Sequence, residues 1–247
     1  MTIAAPRAAT WDTPTDPTRN NARAAGIFYL LTFASSIPAL LLIGPVLNNA
    51  DYIIGAGHDS RVLWGCLLDF INAATAVASA VAVYPVVKRQ SQSLALGFVT
   101  SRMMEAAVIM IGVVSLLAVV TLRQDFAGAS GTDAAALTTT GQALVTIRDW
   151  TFLFGPGFMV SVNAVLFGTL LYKSRLVPRA IPALGLIGAP LLLTANLLTF
   201  FGHNTQTSGW TLLATAPIFV WELSVGIYMT FKGFKPSPVT VPAQAGA

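Results

Sequence analysis

Four charged residues stand inside long apolar stretches: Asp69, Arg102, Glu105 and Glu222. In hydrocarbon each such group costs about 2.5–3.5 kcal/mol on insertion, so a chain that keeps them turns them toward a protein interior and gives them partners. Arg102 and Glu105 are three apart, the spacing that puts two side chains on one helix face. Counting the helical rise from the ends of the apolar stretches sets Glu105 about 16 Å deep, and Glu222 and Asn163 about 15 Å deep. All three depths fall near the middle of an apolar layer ~30 Å thick. Arg102, Glu105, Asn163 and Glu222 are therefore expected to form one polar layer. Two carboxylates against one guanidinium leave an excess negative charge, which calls for a proton, a cation or another donor. Such a layer can bind or pass a small polar or amphipathic compound. It can equally be structural, with Arg102 paired bidentately to Glu105 or Glu222, Asn163 donating, and the cluster fixing helix register. Both readings stay open at this level.

Asp69 and Asn72 share a face nearer the other side of the membrane. They form a second candidate lining, with Asn196, Arg148, Asp149, His58 and His203. A metal site from His58, His203 and Asp69 can be drawn, but no ligand-spacing motif supports it and no metal is assigned. No cofactor is assigned either: the chain has no glycine-rich phosphate loop and no nucleophile elbow. Gly155, Pro156 and Gly157 read as a kink at a helix beginning. Cys66 is the single cysteine, which excludes an intrachain disulfide. No catalytic residue is assigned, because an enzyme needs a nucleophile or metal within reach of a carboxylate and neither is evident.

The elements that must hold these residues follow from composition. Of 247 residues, 55% are hydrophobic and 10% charged, where a soluble domain carries roughly a quarter charged. Lipid is the solvent this composition fits, and a net charge of +4, scattered beside apolar runs, does not make a nucleic-acid surface. Six runs have the length of a membrane-spanning helix: 24–47, 62–87, 94–122, 150–172, 180–201 and 211–231. The fold class is all-α, a six-transmembrane-helix bundle over 21–235. Residues 1–20 and 236–247 are polar or rich in Pro and Ala, and read as disordered tails. The first run is read as an uncleaved anchor, since it is longer than a signal-peptide core and no small-residue cleavage site follows.

Basic residues set the orientation. Arg7, Arg19, Arg23, Lys88, Arg89, Lys173, Arg175, Arg179, Lys232 and Lys235 gather on one side, against Arg61, Arg123 and Arg148 on the other. The positive-inside rule then puts both termini in the cytoplasm. The loop 123–149 is external, with the composition of a flexible crossing that carries a short interfacial helix. The small-residue stripe from Ala73 to Ala82 allows close helix approach and predicts a central second helix. Gly185, Gly188 and Ala189 do the same for the fifth, and Trp64, Trp150, Trp210 and Tyr172 read as interfacial anchors. Glu105 and Glu222 each fall eleven residues into the third run of their half, as an inverted repeat would place them, although no matching residues surround them.

Particular residues add a resemblance. Arg23, Gly26, Ile27, Tyr29 and Leu30 in the first run, Arg102 and Glu105 in the third, and Gly157, Asn163 and Gly168 in the fourth are similar to a bacterial family of multi-pass membrane proteins, the domain of unknown function 4386. The segment 171–179, with Pro182, Gly185 and Gly188 beyond it, resembles that family's most distinctive stretch. Pro217, Glu222, Gly226, Lys232, Gly233 and Phe234 resemble its closing helix. The resemblance covers about residues 20–235 and implies a six-helix protein of the bacterial cytoplasmic membrane. It implies no reaction. Three function classes stay open: a binding or permeation protein lined by Arg102, Glu105, Asn163, Glu222 and Asp69, a non-catalytic scaffold that packs against a partner membrane protein or its own copies, and an intramembrane enzyme.

Overall fold

The computed structural model describes residues 17–55 and 59–240, and every regular element among them is helical. The elements are α1 (Pro17–Asn48), α2 (Asp59–Val87), α3 (Gln92–Asp125), α4 (Thr132–Phe152), a π-helical segment (Leu153–Met159), α5 (Val160–Ser174), α6 (Ala180–Phe200) and α7 (Gly209–Phe231). Six helices among them are long and apolar enough to cross a membrane, because α4, the π-segment and α5 run on as one rod, Thr132–Ser174. The protein is a multi-pass membrane protein. Large apolar side chains such as Leu41, Val114 and Ile187 cover the outside, while Asp69, Arg102, Glu105 and Arg148 are held within.

The helices close into a ring. α1 lies between α2 and α7, α2 between α1 and α3, α5 between α3 and α6, and α7 returns from α6 to α1. The small-residue stripe of α2 is buried at Ala73, Ala76 and Ala80. Yet α2 packs mainly on α1 and α3 and only grazes α5, so it is a wall of the ring and not its centre. α3 reaches α2, α4, the π-segment and α5. Glycines set the tightest approaches. A Cβ on Gly65 of α2 would lie 2.5 Å from Ile43 of α1, and one on Gly185 of α6 would lie 2.5 Å from the Trp221 ring of α7. Trp64, Trp210 and Tyr172 are exposed near helix ends, as interfacial anchors should be, whereas Trp150, also exposed, lies within the long rod.

The expected loop 123–149 is mostly helix. Only 126–131 breaks the chain, with Gly128 and Gly131 at positive φ. After it α4 begins with Asp133 in its first turn, where a negative charge complements the helix dipole. The hydroxyls of Thr138, Thr139, Thr140 and Thr146 donate to carbonyls one turn back, so their polarity is absorbed by the helix itself. Threonine content read as a loop is here compatible with helix. Likewise Gly155, Pro156 and Gly157 do not begin a helix but sit in the π-segment in mid-rod, where the wider turn accommodates the missing proline N–H.

At the basic end the chain folds back on itself. Arg175 adopts φ 57 to end α5, with its N–H donating to Leu171 O at 3.1 Å. The turn it makes buries Ser174, Leu176 and Val177. Residues after α7 dock there: Lys235 N donates to Leu176 O at 2.8 Å and Ser237 Oγ to Ser174 O at 2.5 Å. Arg89 Nη1 reaches Val239 O at 3.2 Å. Thus 236–240, expected to be tail, packs across the bundle end, and 17–20, also expected to be tail, opens α1. Residues 1–16 and 241–247 lie outside the described residues.

Candidate functional site

Two apolar cores occupy the ring. One, toward the basic end, gathers Ala25, Phe98, Phe167, Leu171, Trp221 and Val225 among others; the other gathers Ile43, Cys66, Ala106, Ile109, Leu116 and neighbours. On α3 the first core ends at Phe98 and the second starts at Ala106. Arg102 and Glu105 stand between them. Glu105 and Glu222 are each the fourteenth residue of their helix.

Arg102 is 3% exposed and Glu105 5%. Arg102 Nη1 donates to Glu105 Oε2 at 3.0 Å, and its Nη2 donates to both Glu222 Oε1 and Tyr29 Oη at 2.9 Å. Asn163 Nδ2 donates to Glu105 Oε2 at 2.7 Å. One guanidinium therefore forks across two carboxylates from different helices and pairs bidentately with neither. The four residues expected in one layer are together, contributed by α3, α5 and α7, and α1 adds Tyr29. Toward the basic end the layer rests on aromatic rings. Phe98 and Phe167 stack at 4.6 Å, Tyr29 and Phe167 at 5.9 Å, and Trp221 meets Phe167 edge-on at 6.3 Å. The guanidinium carbon lies 5.0 Å from the Tyr29 ring centroid and 5.7 Å from that of Phe98, within cation–π range.

Hydrogen bonding in the layer is incomplete. Arg102 Nε, Asn163 Oδ1 and Trp221 Nε1 are buried without a protein partner. Glu105 takes two bonds on one oxygen, whereas Glu222 takes a single bond and its side chain is 15% exposed. The π-segment is close by: a Cβ on Gly155 would lie 3.5 Å from the Glu105 carbonyl oxygen. Departures from α-helix of this kind recur near functional sites.

Asp69 belongs to a different layer. Its Oδ2 lies 3.6 Å from Arg148 Nη2, and both residues are buried, Asp69 at 7% and Arg148 at 6% exposure. Gly112 of α3 makes room for this arginine, since a Cβ there would lie 2.8 Å from Arg148 Cδ. The guanidinium carbon sits 4.9 Å from the Phe152 ring centroid. Gly112 is seven residues beyond Glu105 on α3, about 10 Å further from the basic end. Of the other residues grouped with Asp69, Asn196 packs on Gly157 of the π-segment and His203 is exposed in the α6–α7 turn. His58 lies outside the described residues, so the metal triad drawn from sequence has one member without a described position.

A third arginine–carboxylate pair, Arg123 with Asp59, clasps the ends of α2 and α3. Arg123 Nε and Nη2 also donate to Gly55 O, at 2.9 and 2.8 Å, and Gln124 Nε2 donates to Asp59 Oδ2 at 3.1 Å. Tyr52 Oη donates to Asp59 Oδ1 at 3.1 Å, and burial together with that carboxylate pushes the phenol up to about 12. This cluster ties the α1–α2 connection to the bundle.

A closed ring of membrane-length helices with arginine and carboxylates buried inside defines a polytopic helical membrane protein. The model of the family described as a domain of unknown function, DUF4386, matches residues 24–233. The chain belongs to that family. No curated protein and no solved structure matches it. The segment 171–179, picked out above for its resemblance, is the α5–α6 turn that receives the chain after α7.

Proposed function

We propose that this chain is a binding or permeation protein of the bacterial cytoplasmic membrane, and that the Arg102, Glu105, Asn163, Glu222 and Tyr29 layer is its site. The carrying observation is charge. Two carboxylates and one guanidinium in a buried layer leave one negative charge uncompensated, and burying such a charge is costly. The contacts of 2.7–3.0 Å leave little space between the partners, so the smallest compensator, a proton, fits best. The carboxyl pair Glu105 and Glu222, bridged by Arg102, holds it. Small cations and polar or amphipathic compounds that exchange with this proton are the wider ligand class. Asp69 with Arg148 is a second lining about 10 Å further on.

Infrared titration of carboxyl groups in nanodiscs tests this. Wild-type protein should show a protonated carboxyl band that the pair Glu105→Gln/Glu222→Gln removes. Reconstituted vesicles should pass protons, alone or against a co-substrate, and Glu222→Gln should abolish that flux. If no carboxyl titrates while the fold persists, the proton-binding reading fails. The second reading is a scaffold that packs against a partner membrane protein or another copy of the chain. It is favoured by the directness of the contacts, since a layer already closed by protein groups specifies register without any ligand. Under that reading Glu222→Gln changes stability and leaves flux at the background of empty vesicles.

A further inference from the structure

The ring is closed by its first and last helices. Their crossing is tight: a Cβ on Gly26 of α1 would lie 2.5 Å from Thr230 N and 2.7 Å from Gly226 O of α7. Toward the basic end the two helices leave a notch of about 70 Å³ lined by Arg19, Arg23, Met229, Thr230, Phe231 and Gly233. That is room for several waters or for one phosphate-sized group. Arg19 and Arg23 are one helical turn apart, so their guanidiniums share a face. Both are exposed, and among the described residues neither has a carboxylate within ion-pair distance. Gly233 forms the opposite wall as bare backbone at φ +73, where a Cβ would lie 3.3 Å from Arg19 Cγ. The terminal carbonyls of α7 offer about half a negative charge, which among the described residues leaves most of the arginines' charge uncompensated. Beside the notch, Phe231 is 72% and Ile27 42% exposed, an apolar surface next to a cationic one.

We propose that this notch binds a phosphate ester, foremost the headgroup of an anionic phospholipid, and that its occupancy fastens α1 to α7. The two guanidinium forks match phosphate oxygens, and Phe231 with Ile27 lies where acyl chains descend. The site is separate from the polar layer and does not depend on its role.

Thermal unfolding of the full chain in neutral detergent tests the site, with phosphatidylglycerol, phosphatidylcholine or free glycerol phosphate added. Phosphatidylglycerol should raise Tm by about 4 °C or more, as a ligand specific to the folded state does, and phosphatidylcholine should not. The pair Arg19→Gln/Arg23→Gln should lose the shift. The pair Lys88→Gln/Lys173→Gln removes equal charge elsewhere at the same end and should keep it. Arg19→Lys/Arg23→Lys retains charge without the fork, so if the glutamine pair fails to fold, a reduced shift in the lysine pair carries the same conclusion. An equal shift from free glycerol phosphate supports the site and assigns it to soluble phosphate esters. A shift from phosphatidylcholine as large as from phosphatidylglycerol, an equal loss in the notch and Lys88/Lys173 pairs, or no shift from any phosphate compound overturns the proposal.

Discussion

At the scale of residues, Arg102 is the joint between helices that do not neighbour one another in sequence. It links α3 to α7 through Glu222 and to α1 through Tyr29, while Glu105 carries the link on to α5 through Asn163. Removing it by Arg102→Leu leaves the buried Glu105 and the partly buried Glu222 without their shared cation, and orphaning a buried charge costs about 3–5 kcal/mol. The double variant Arg102→Leu/Glu105→Gln should recover part of that loss, because groups in one network are not additive. Unfolding in detergent checks this, and a double variant equal to the sum of the singles would mean the three charges do not act as a unit. Arg102, Glu105, Asn163 and Glu222 could be read in advance because ionisable groups in apolar runs have few alternatives to one another, and helical rise fixes their depth. Tyr29 could not be read the same way. Tyrosine near the start of a membrane run is commonly an interfacial anchor, and nothing local says that its hydroxyl turns inward. Arg148 was grouped with Asp69 from sequence, but its depth was not legible. Lying just before the fourth apolar run it counts as a flanking charge, whereas the helix in fact begins at Thr132 and carries it inside to Asp69.

At the scale of elements, apolar runs locate the helices but understate them. α1 begins seven residues before its run and α4 begins eighteen before its own, because hydropathy detects only the lipid-facing part while helix geometry continues through polar turns. The π-segment was likewise legible as an irregularity at Gly155, Pro156 and Gly157 but not as a widened turn in a continuous rod. Glycine positions, by contrast, translated directly into packing. Gly185 faces the Trp221 ring, which is fully buried and has no space to yield. Gly185→Ala should therefore destabilise by about 1–3 kcal/mol, the usual cost of overpacking. Gly97 is the contrast: a Cβ there meets only Leu166 methyls at 3.6 and 3.7 Å, an ordinary contact. Gly97→Ala should be neutral or stabilising by about 0.5–1 kcal/mol, since glycine in a helix interior is entropically unfavourable. Thermal unfolding of both variants decides the matter, and an equal response would mean that the α6–α7 approach is looser than the structure has it.

At the scale of the whole molecule, the six-helix count was legible because lipid imposes a fixed length on each span, and the ring closure was not, since no run states its neighbours. The structure also sharpens the argument for orientation. Arg148, counted from sequence among the basic residues of one side, is buried with Asp69, and Arg123 is tied to Asp59. With Arg148 inside the rod, Arg61 and Arg123 remain there as flanking basic residues, ion pairing leaving the count unchanged, whereas Arg19, Arg23, Lys88, Arg89, Lys173, Arg175, Arg179, Lys232 and Lys235 gather at the opposite end. Basic residues near the ends of spans are what the positive-inside rule counts, so a less balanced tally strengthens the expectation that the basic end is cytoplasmic. The insertion point that tests it is also defined. Residues 126–131 are the break between α3 and α4, and Gly128 and Gly131 have nothing within 4 Å of where a Cβ would be, so a reporter placed there disturbs no packing. A reporter at 128–130 should read the exterior, and one fused after Ala247 should read the cytoplasm. Were both to read the same compartment, an even number of crossings would lie between them, and one of the long rod, α6 and α7 could not span the membrane.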